Sequence, residues 1–445
     1  MNFENTLRYL LSLGHETTAI KLGLRNTELL LESLDNPHKA YQSVQIAGTN
    51  GKGSTAVVLD SISRAAGIHT GLFTSPHLVS ITERIMIGGA EISPDDFARH
   101  ATAVRSAAES LVMRGKLEAL PTFFEQVTAI ALLAFREAGV RLAVLETGLG
   151  GRLDATTVAG AKTVAITPLA LDHQEYLGET LEEIASEKAA IIRPGVTAII
   201  AAQPAQALDV ILQRCAEFKV HPSLEIDQSR NRIEEVTDDG RFVVTFETNE
   251  GRYENVLLGL RGRHQIVNTS VSIRIAESLR KVSFDISKTA ISEGITTARH
   301  AGRLEFHDGH PSLLLDGAHN PSGAQALREF FDEFVLGPVT LVFGAMNDKR
   351  LEEIAPILFP AADRLILTQP DNPRAAGVGR LQSLAASIVD DERITVVPSV
   401  GQAFQLAKDV TPPDGLICIT GSLYLLGEIK VIMDTAESSV LSSEF

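Results

Sequence analysis

A glycine-rich segment around one lysine is the clearest chemical motif of the chain. It consists of Gly48-Thr49-Asn50-Gly51-Lys52-Gly53-Ser54-Thr55 and stands between an apolar strand pattern and a helical pattern, the context in which such a loop binds phosphate. Glycines let backbone N–H groups approach phosphate oxygens, and the helix N-terminus adds a favourable dipole. Lys52 can bring a positive charge to the outer phosphates, and the Ser54 hydroxyl can reach phosphate or Mg²⁺. The common pattern G-x-x-x-x-G-K-[ST] is not met, since Ile46 occupies the first glycine position, so a turn without a ligand is the alternative.

Two further candidates follow predicted strands. Glu146 ends the apolar run 141–146, and His173 follows the run 163–167 in the segment Leu171-Asp172-His173. The carboxyl ends of parallel strands face the crevice in which open α/β sheets bind ligands. Either residue alone could be a solvated side chain at a strand end. Next to a phosphate loop, the pair predicts a metal site.

Lys188 falls within an apolar helical stripe. If 180–192 is a helix, Lys188 lies on the same face as five apolar residues, where an isolated ammonium is costly. One interpretation is a snorkelling lysine, with its charge in water. The other is chemical: a desolvated lysine has a lowered pKa, and its neutral amine can add CO2. The resulting carbamate is an anionic oxygen ligand suited to Mg²⁺.

Alternating strand and helix patterns provide the scaffold for these residues. The first series has predicted strands at 43–48, 141–147, 163–167 and 197–202, with helices at 54–67, 122–139, 180–195 and 207–219. Residues 230–260 are typical of antiparallel hairpins. A second series follows residue 303, with strands at 311–317, 339–345, 363–369, 394–399 and 415–421, and a helical pattern after each strand but the last. Such alternation indicates parallel sheets covered by helices on both faces.

We therefore predict an α/β protein of two domains. The first, 1–298, is a P-loop-type parallel-sheet domain with a small antiparallel β segment. A hinge at 299–303 leads to a Rossmann-like α/β domain at 304–432, and we expect a flexible tail at 433–445.

Composition narrows the function classes. The 445 residues include 40 Lys+Arg and 56 Asp+Glu, a net charge of −16, which argues against a sequence-independent nucleic-acid binder. Two cysteines far apart offer no disulfide framework, and no apolar run reaches the roughly 18 residues of a membrane span. The N-terminus lacks the basic region of a secretory signal. We expect a cytoplasmic protein, most simply a monomer, with no membrane or nucleic-acid partner.

The segment GTNGKGST resembles the Mur ligase superfamily, and especially its folate branch of bifunctional bacterial folylpolyglutamate and dihydrofolate synthases. The resemblance extends over nearly the whole chain and implies an ATP-dependent amide ligase. Such an enzyme adds L-glutamate to dihydropteroate and to reduced folates through an acyl phosphate. In this family the lysine of the motif E-K-A-G-I is carbamylated, and the matching segment here is Glu187-Lys188-Ala189-Ala190-Ile191.

The resemblance also implies roles for individual residues. The expected metal ligands, for two Mg²⁺ ions, are Ser75, Glu146, His173 and the Lys188 carbamate. The expected ATP contacts are Asn50, Gly51, Lys52, Gly53, Ser54, Asn268, Arg303 and Asp316. The expected catalytic residues are Lys52, Lys188 and His319. The segments expected to line a pterin pocket are Leu22-Gly23-Leu24-Arg25, Thr122-Phe123-Phe124-Glu125 and Leu153-Asp154-Ala155. Aromatic rings there would stack on the heterocycle, and carboxylates would bind its amino-pyrimidine edge. The alternative for Phe123 and Phe124 is that they are core residues.

Two other functions are alternatives to this interpretation. A peptidoglycan Mur ligase shares the chemistry but usually carries an additional N-terminal domain, for which the 47 residues before Gly48 are too few. A regulatory ATPase that forms no bond is the second alternative. Local departures from the family are Thr157 for Asn, Thr269 for Ala and Ala301 for Pro.

Overall fold

A computed structural model of the chain describes residues 1–14, 23–225 and 230–443. Its first unit is built on an eight-stranded sheet of order β4-β3-β2-β5-β1-β6-β7-β8. The strands are β1 (Gln42–Ala47), β2 (Thr70–Phe73), β3 (Ile85–Ile87), β4 (Ala90–Glu91), β5 (Leu142–Glu146), β6 (Thr163–Ile166), β7 (Thr197–Ala201) and β8 (Ser223–Glu225). The six neighbouring strands β2-β5-β1-β6-β7-β8 pair in parallel, whereas β3 and β4 form an antiparallel edge next to β2. The central strands are buried on both faces, which explains their nearly continuous apolar sequence.

Helices cover both faces of this sheet. They are α1 (Phe3–Ser12), α2 (Arg25–Ser33), α3 (Lys52–Ala65), α4 (Pro94–Met113), α5 (Phe123–Glu137), α6 (Gln174–Leu177), α7 (Leu181–Ala189) and α8 (Ala205–Glu217). Helix α3 packs on one face with Val58 and Leu59 in the core, and α5 packs on the other with Val127 and Ile130. The sheet therefore separates two hydrophobic layers, and the phosphate loop lies at its carboxyl edge.

A small antiparallel sheet and two helices complete the first unit. The sheet consists of β9 (Arg232–Val236), β10 (Phe242–Glu247) and β11 (Arg252–Leu257), and the helices are α9 (His264–Arg280) and α10 (Lys288–Thr297). Both helices pack against α3. They thereby hold the helix that begins at the phosphate loop.

The second unit has a six-stranded sheet of order β12-β13-β17-β14-β15-β16. Its elements are β12 (Glu305–His307), β13 (Ser312–Asp316), α11 (Pro321–Phe334), β14 (Val339–Phe343), α12 (Leu351–Leu358), β15 (Arg364–Leu367), α13 (Val378–Ala386), β16 (Ile394–Val396), α14 (Val400–Val410), β17 (Leu416–Thr420) and α15 (Leu423–Ser443). Only β12 is antiparallel to its neighbour. The α/β class with a separate C-terminal α/β unit is confirmed.

The final helix departs from the sequence analysis, which expected no helix after the last strand. Helix α15 starts at Leu423 and continues through Ser443, across most of the expected tail. Its first turns bury Leu425, Leu426 and Ile429 against the second sheet. This burial stabilises the start of the helix. The polar residues near the end of the chain give no sign of a helix in the sequence.

The two units contact each other directly through α11. Phe242 of β10 packs edge-on against Phe334 of α11, with ring centroids 5.7 Å apart. The Arg263 guanidinium donates two hydrogen bonds, of 2.7 and 2.6 Å, to the Glu333 carboxylate. An aromatic contact from the antiparallel sheet and a bidentate ion pair from the residue before α9 thus join the first unit to the second.

The contact between α10 and α3 generates a stability prediction. A Cβ atom on Gly294 would lie 2.3 Å from the Ile62 Cα atom, whereas one on Gly379 of α13 would meet nothing within 4 Å. We expect Gly294→Ala to lower the free energy of unfolding by about 1–3 kcal/mol, because backbone atoms of α3 cannot yield to the added methyl. Gly379→Ala is the matched control and should leave stability unchanged or raise it by up to about 1 kcal/mol. Urea unfolding measures both, and equal effects would contradict the close contact.

Candidate active site

A cavity of about 1000 Å³ lies at the carboxyl edge of the first sheet, against the second unit. The phosphate loop forms one wall, and the segments after β5, β6, β13, β14 and β17 contribute the others. Its size is at the upper end of the range for small-molecule sites. All four predicted metal ligands and all eight predicted ATP contacts line this cavity.

The phosphate loop ends at the first residue of α3. Gly51 has φ +84°, and a Cβ there would lie 2.1 Å from the Asn268 Oδ1 atom. Only glycine therefore allows Asn268 of α9 to sit against the loop. The Lys52 ammonium donates to the carbonyls of Gly48 and Thr49, at 3.1 and 3.2 Å. The loop thus stands between β1 and α3, as its sequence context predicts.

Lys188 is buried, with 4% of its surface exposed, and its Nζ donates to the Gly48 carbonyl at 2.7 Å. The side chains of Lys52 and Lys188 therefore share one carbonyl oxygen. Burial, with repulsion from Lys52, lowers the pKa of Lys188 to about 7, against the opposing pull of Asp172 and other carboxylates. The snorkelling alternative is excluded, and a large share of the lysine is a neutral amine near neutral pH.

Glu146 lies at the end of β5 and is also buried. Its Oε2 accepts a hydrogen bond of 3.2 Å from the Ser75 backbone N–H. Burial raises the pKa of the Glu146 carboxyl, although Lys52, this hydrogen bond and Arg303 favour its charged form. A carboxylate in such a place gains from a cation within reach.

His173 has the left-handed φ of +51° and precedes α6. Burial lowers the pKa of its imidazole to about 4, although Asp172 opposes the shift, so the ring is neutral at pH 7 and keeps a lone pair. Burial disfavours the Asp172 carboxylate as well. Attraction to His173, Lys349 and His319, in that order, nevertheless holds the Asp172 pKa below its ordinary value, because both imidazoles are protonated at the low pH at which Asp172 titrates.

The second unit reaches the phosphate loop through Asn320. Its Nδ2 donates to Asn50 Oδ1 at 3.0 Å and to Asp172 Oδ2 at 3.3 Å. Lys349 adds an ion pair, with its Nζ 3.6 Å from Asp172 Oδ1. The sequence analysis assigned no role to Lys349 or to Asn320, because the fold alone brings these distant loops together. Their only sequence signal is a polar segment after an apolar strand.

Asp316 and His319 follow β13 and face the cavity. The Asp316 carboxylate accepts from the backbone N–H groups of Leu304 and Ala318, at 2.9 and 3.0 Å, and so braces the start of β12. His319 Nδ1 lies 2.7 Å from the Gly317 carbonyl. A carbonyl only accepts, so Nδ1 carries the proton and Nε2 keeps a lone pair. Burial, together with Lys349, lowers the His319 pKa to about 4.

Segment 299–303, which joins the two units, contributes two polar side chains to the lining of the cavity. Arg303 NH1 donates to the Gly317 carbonyl at 3.1 Å. His300, which the sequence analysis did not single out, places its Nδ1 3.1 Å from Ser54 Oγ. Burial and the charge of Arg303 lower the pKa of His300 to about 3. Gln265, also missed, donates to the same Ser54 oxygen at 3.3 Å.

The aromatic wall of the cavity comes from Phe124. A Cβ on Gly148 would lie 2.4 Å from the Phe124 Cζ atom, so this glycine leaves room for the ring. Thr122 and Glu125 form the capping box of α5, and both line the cavity. Phe123 instead packs in the core, and the structure does not bring it to the cavity.

Asp154 lines the cavity together with Leu153 and Ala155, but its carboxylate is already engaged. One oxygen accepts from the backbone N–H groups of Gly148 and Leu149, at 2.8 and 3.0 Å. The other accepts from the backbone and hydroxyl of Thr156. Asp154 therefore shapes this loop, whereas each Glu125 oxygen accepts one hydrogen bond, from the Thr122 backbone N–H and the Thr27 hydroxyl.

The N-terminal segment contributes less than expected. Gly23, Leu24 and Arg25 do not line the cavity, and Leu22 lies outside the described residues. The segment is linked to the wall through α2, where the Thr27 hydroxyl donates to Glu125 Oε1 at 3.3 Å.

The predicted metal ligands fit Mg²⁺ only in one chemical form. Within residues 1–14, 23–225 and 230–443, no cluster of three or more His, Cys, Asp or Glu side chains could hold a metal. The expected set offers one carboxylate, Glu146, with a hydroxyl, an imidazole and the amine of Lys188. As an ammonium Lys188 repels a cation, whereas as a carbamate it adds the second anionic oxygen donor that hard cations prefer. The residues therefore fit the ion if Lys188 is carbamylated.

Comparison with known proteins places this geometry in a family. The Mur ligase middle domain family matches residues 46–276, and the glutamate ligase domain of Mur ligases matches residues 302–423. The Bacillus subtilis dihydrofolate synthase/folylpolyglutamate synthase is 34% identical over 423 residues, which cover 94% of this chain and 96% of that protein. The chain belongs to the folate branch of the Mur ligases. The expected family and enzyme class, an ATP-dependent ligase, are therefore confirmed.

Solved structures agree over the full length. Folylpolyglutamate synthase from Mycobacterium tuberculosis complexed with ADP superposes with a TM-score of 0.90 at 29% identity, covering 97% of this chain and 98% of that one. The E. coli FolC protein in complex with DHPP and ADP has a TM-score of 0.86 at 29% identity, with 98% and 99% covered.

The chain covers about half of some longer relatives. A probable bifunctional folylpolyglutamate synthase/dihydropteroate synthase of Haloferax volcanii is 33% identical over 416 residues, 92% of this chain but 48% of that protein. In the described part of the chain, no helix combines the length and apolar character needed to span a bilayer.

Proposed function

We propose that this member of the folate branch adds L-glutamate to dihydropteroate and to the glutamate tail of reduced folates at the expense of ATP. One observation carries the proposal: a single cavity joins the phosphate loop, the buried Glu146 and Lys188, and a wall formed by Phe124 and Glu125. The first two features suit phosphoryl transfer to a carboxylate. The third suits a flat heterocycle with an amino edge.

The first step activates the acceptor. A carboxylate oxygen of the pteroate or folate attacks the γ-phosphorus of ATP, the bond from that phosphorus to the β–γ bridging oxygen breaks, and ADP leaves. The negative charge that spreads over the transferred group lies next to Lys52, at the N-terminus of α3. The product of this step is an acyl phosphate.

The second step forms the amide. The glutamate amine attacks the acyl carbon, and the tetrahedral intermediate expels inorganic phosphate as the nitrogen loses a proton. His319 is the proposed proton acceptor, because its Nδ1 is committed to the Gly317 carbonyl and its Nε2 keeps a lone pair. The units enclose the cavity from both sides, which protects the acyl phosphate from water.

Magnesium would be held by Ser75, Glu146, His173 and the Lys188 carbamate, and we propose two ions, as the family resemblance implies. When bound, Mg²⁺ neutralises phosphate charge and polarises the phosphorus for attack. The chain itself keeps both side chains desolvated, so that Glu146 gains from a bound cation and the neutral amine of Lys188 is available to add CO2.

The carboxylates of glutamate need cationic partners, and the matched glutamate ligase domain covers residues 302–423 of the second unit. Arg374 lines the cavity there, and its guanidinium donates to the Tyr424 hydroxyl at 3.1 Å. A guanidinium that is held in place matches a carboxylate in a bidentate manner. We propose that Arg374 binds a carboxylate of the incoming glutamate.

The setting of the reaction is also part of the proposal. We propose the cytoplasm as the compartment and a monomer as the state, as the sequence analysis expected. The two competing functions are less well supported. The relatives are named for folate ligation, and the cavity holds an aromatic wall that a regulatory ATPase does not require.

Purified protein tests the substrate assignment directly. ADP formation should require both dihydropteroate and glutamate, and tetrahydrofolate should replace dihydropteroate as acceptor if both activities are present. The mass of the product should exceed that of the acceptor by one glutamyl residue. A rate of ADP formation that does not respond to glutamate would favour the regulatory ATPase and reject the ligase.

The carbamate is tested at Lys188. Lys188→Ala should lower kcat by about 100-fold or more, because it removes an anionic metal ligand. Millimolar acetate or propionate should restore part of the activity by placing a carboxylate in the gap. Lys162→Ala, the same change at an exposed lysine, is the matched control. Full activity of Lys188→Ala would remove the carbamate from the account.

A further inference from the structure

The segment that joins the two units brings an imidazole against the phosphate loop. His300 follows α10 and lines the cavity. Its Nδ1 lies 3.1 Å from Ser54 Oγ. A Cβ on Gly53 would lie 2.9 Å from the His300 Cε1 atom, so the ring also packs directly on the loop backbone. A linker residue therefore contacts two consecutive residues of the loop.

The neighbouring amides fix the direction of the hydrogen bonds. Asn268 Nδ2 donates to Gln265 Oε1 at 2.9 Å. The Gln265 amide nitrogen therefore faces the other way, 3.3 Å from Ser54 Oγ and 3.1 Å from His264 Nε2. Because an amide nitrogen only donates, Ser54 accepts this bond.

Ser54 then has one proton and one lone pair left. The His300 Nδ1 atom is the partner at hydrogen-bond distance that can take the proton. This requires the neutral His300 tautomer with its proton on Nε2. The remaining lone pair of Ser54 Oγ is left as an acceptor for an electropositive group.

We propose that His300 is a positioning residue that takes the Ser54 hydroxyl proton and so fixes Ser54 as a pure acceptor toward the nucleotide-bound cation. The inference rests on the proposed contact of Ser54 with the nucleotide site. It also gives the linker a function, because Ser54 acquires this orientation only when the segment between the units is seated on the loop.

Two conservative substitutions separate this role from simple packing. The Asn side chain places its amide near the position of Nδ1, whereas the longer Gln places its amide near the position of Nε2. A hydrogen bond at Nδ1 should therefore be recovered by His300→Asn and not by His300→Gln. A packing role would favour Gln, which fills more of the space.

Binding of ADP with Mg²⁺ to the full chain, measured by calorimetry, is the first readout. His300→Ala should weaken binding and raise KM for ATP by about tenfold, with kcat changed less than about threefold. His300→Asn should recover most of the affinity, and His300→Gln should not. His310→Ala, the same change at an exposed histidine, should match the unaltered chain.

The second readout is the tautomer. Nitrogen NMR of the chain labelled in histidine, with the His300→Asn variant to identify the signal, should show a neutral ring protonated on Nε2. A ring protonated on Nδ1 overturns the proposal. Unchanged ADP affinity in His300→Ala, or equal losses in the Asn and Gln variants, also overturns it.

Failure of the proposed function looks different. If the unaltered chain shows no glutamate-dependent turnover while the His300 variants still differ in ADP affinity as expected, the substrate assignment fails and the role of His300 stands.

Discussion

Two lysine side chains donate to one carbonyl oxygen in the cleft, and much of the site depends on that arrangement. Lys52 and Lys188 both reach the Gly48 carbonyl. Two like charges so close repel by on the order of 3 kcal/mol at an effective dielectric constant of about 20. The fold sustains this arrangement because burial shifts Lys188 toward its neutral form. The same repulsion favours an incoming polyphosphate and favours conversion of one amine to an anion.

The two units act on this charge cluster from opposite sides. The first unit supplies the loop, Glu146 and Lys188 from the ends of parallel strands and from α7. The second supplies Asn320, which bonds to both Asn50 and Asp172. The hydrogen bond through Asn320 makes the loop geometry depend on how the units meet, and the contact between Phe242 and Phe334 supports that meeting away from the cleft. The proposed activation of the acid and its capture by the amine would thus take place in one cavity lined by both units.

Several features could be predicted from the sequence because they depend on local periodicity. The helical stripe located Lys188 in the interior, and the strand pattern 141–147 located Glu146 at a strand end, where the structure has Leu142–Glu146. Phe123 and Phe124 could not be told apart, because both stand at the start of α5 and only the close approach to Gly148 decides which ring faces the cavity. The contacts of Lys349 and His300 could not be predicted from the sequence for a related reason. Their partners, Asp172 and Ser54, are far away in the sequence and meet them only in the assembled fold.

The central claim is that the chain activates a carboxylate by transferring a phosphoryl group to it. The most direct measurement uses dihydropteroate whose carboxylate carries ¹⁸O, with ATP and glutamate, and mass analysis of the released phosphate. The account predicts one ¹⁸O atom in each phosphate, because the acyl oxygen leaves with the phosphorus. Unlabelled phosphate during productive amide formation would contradict it.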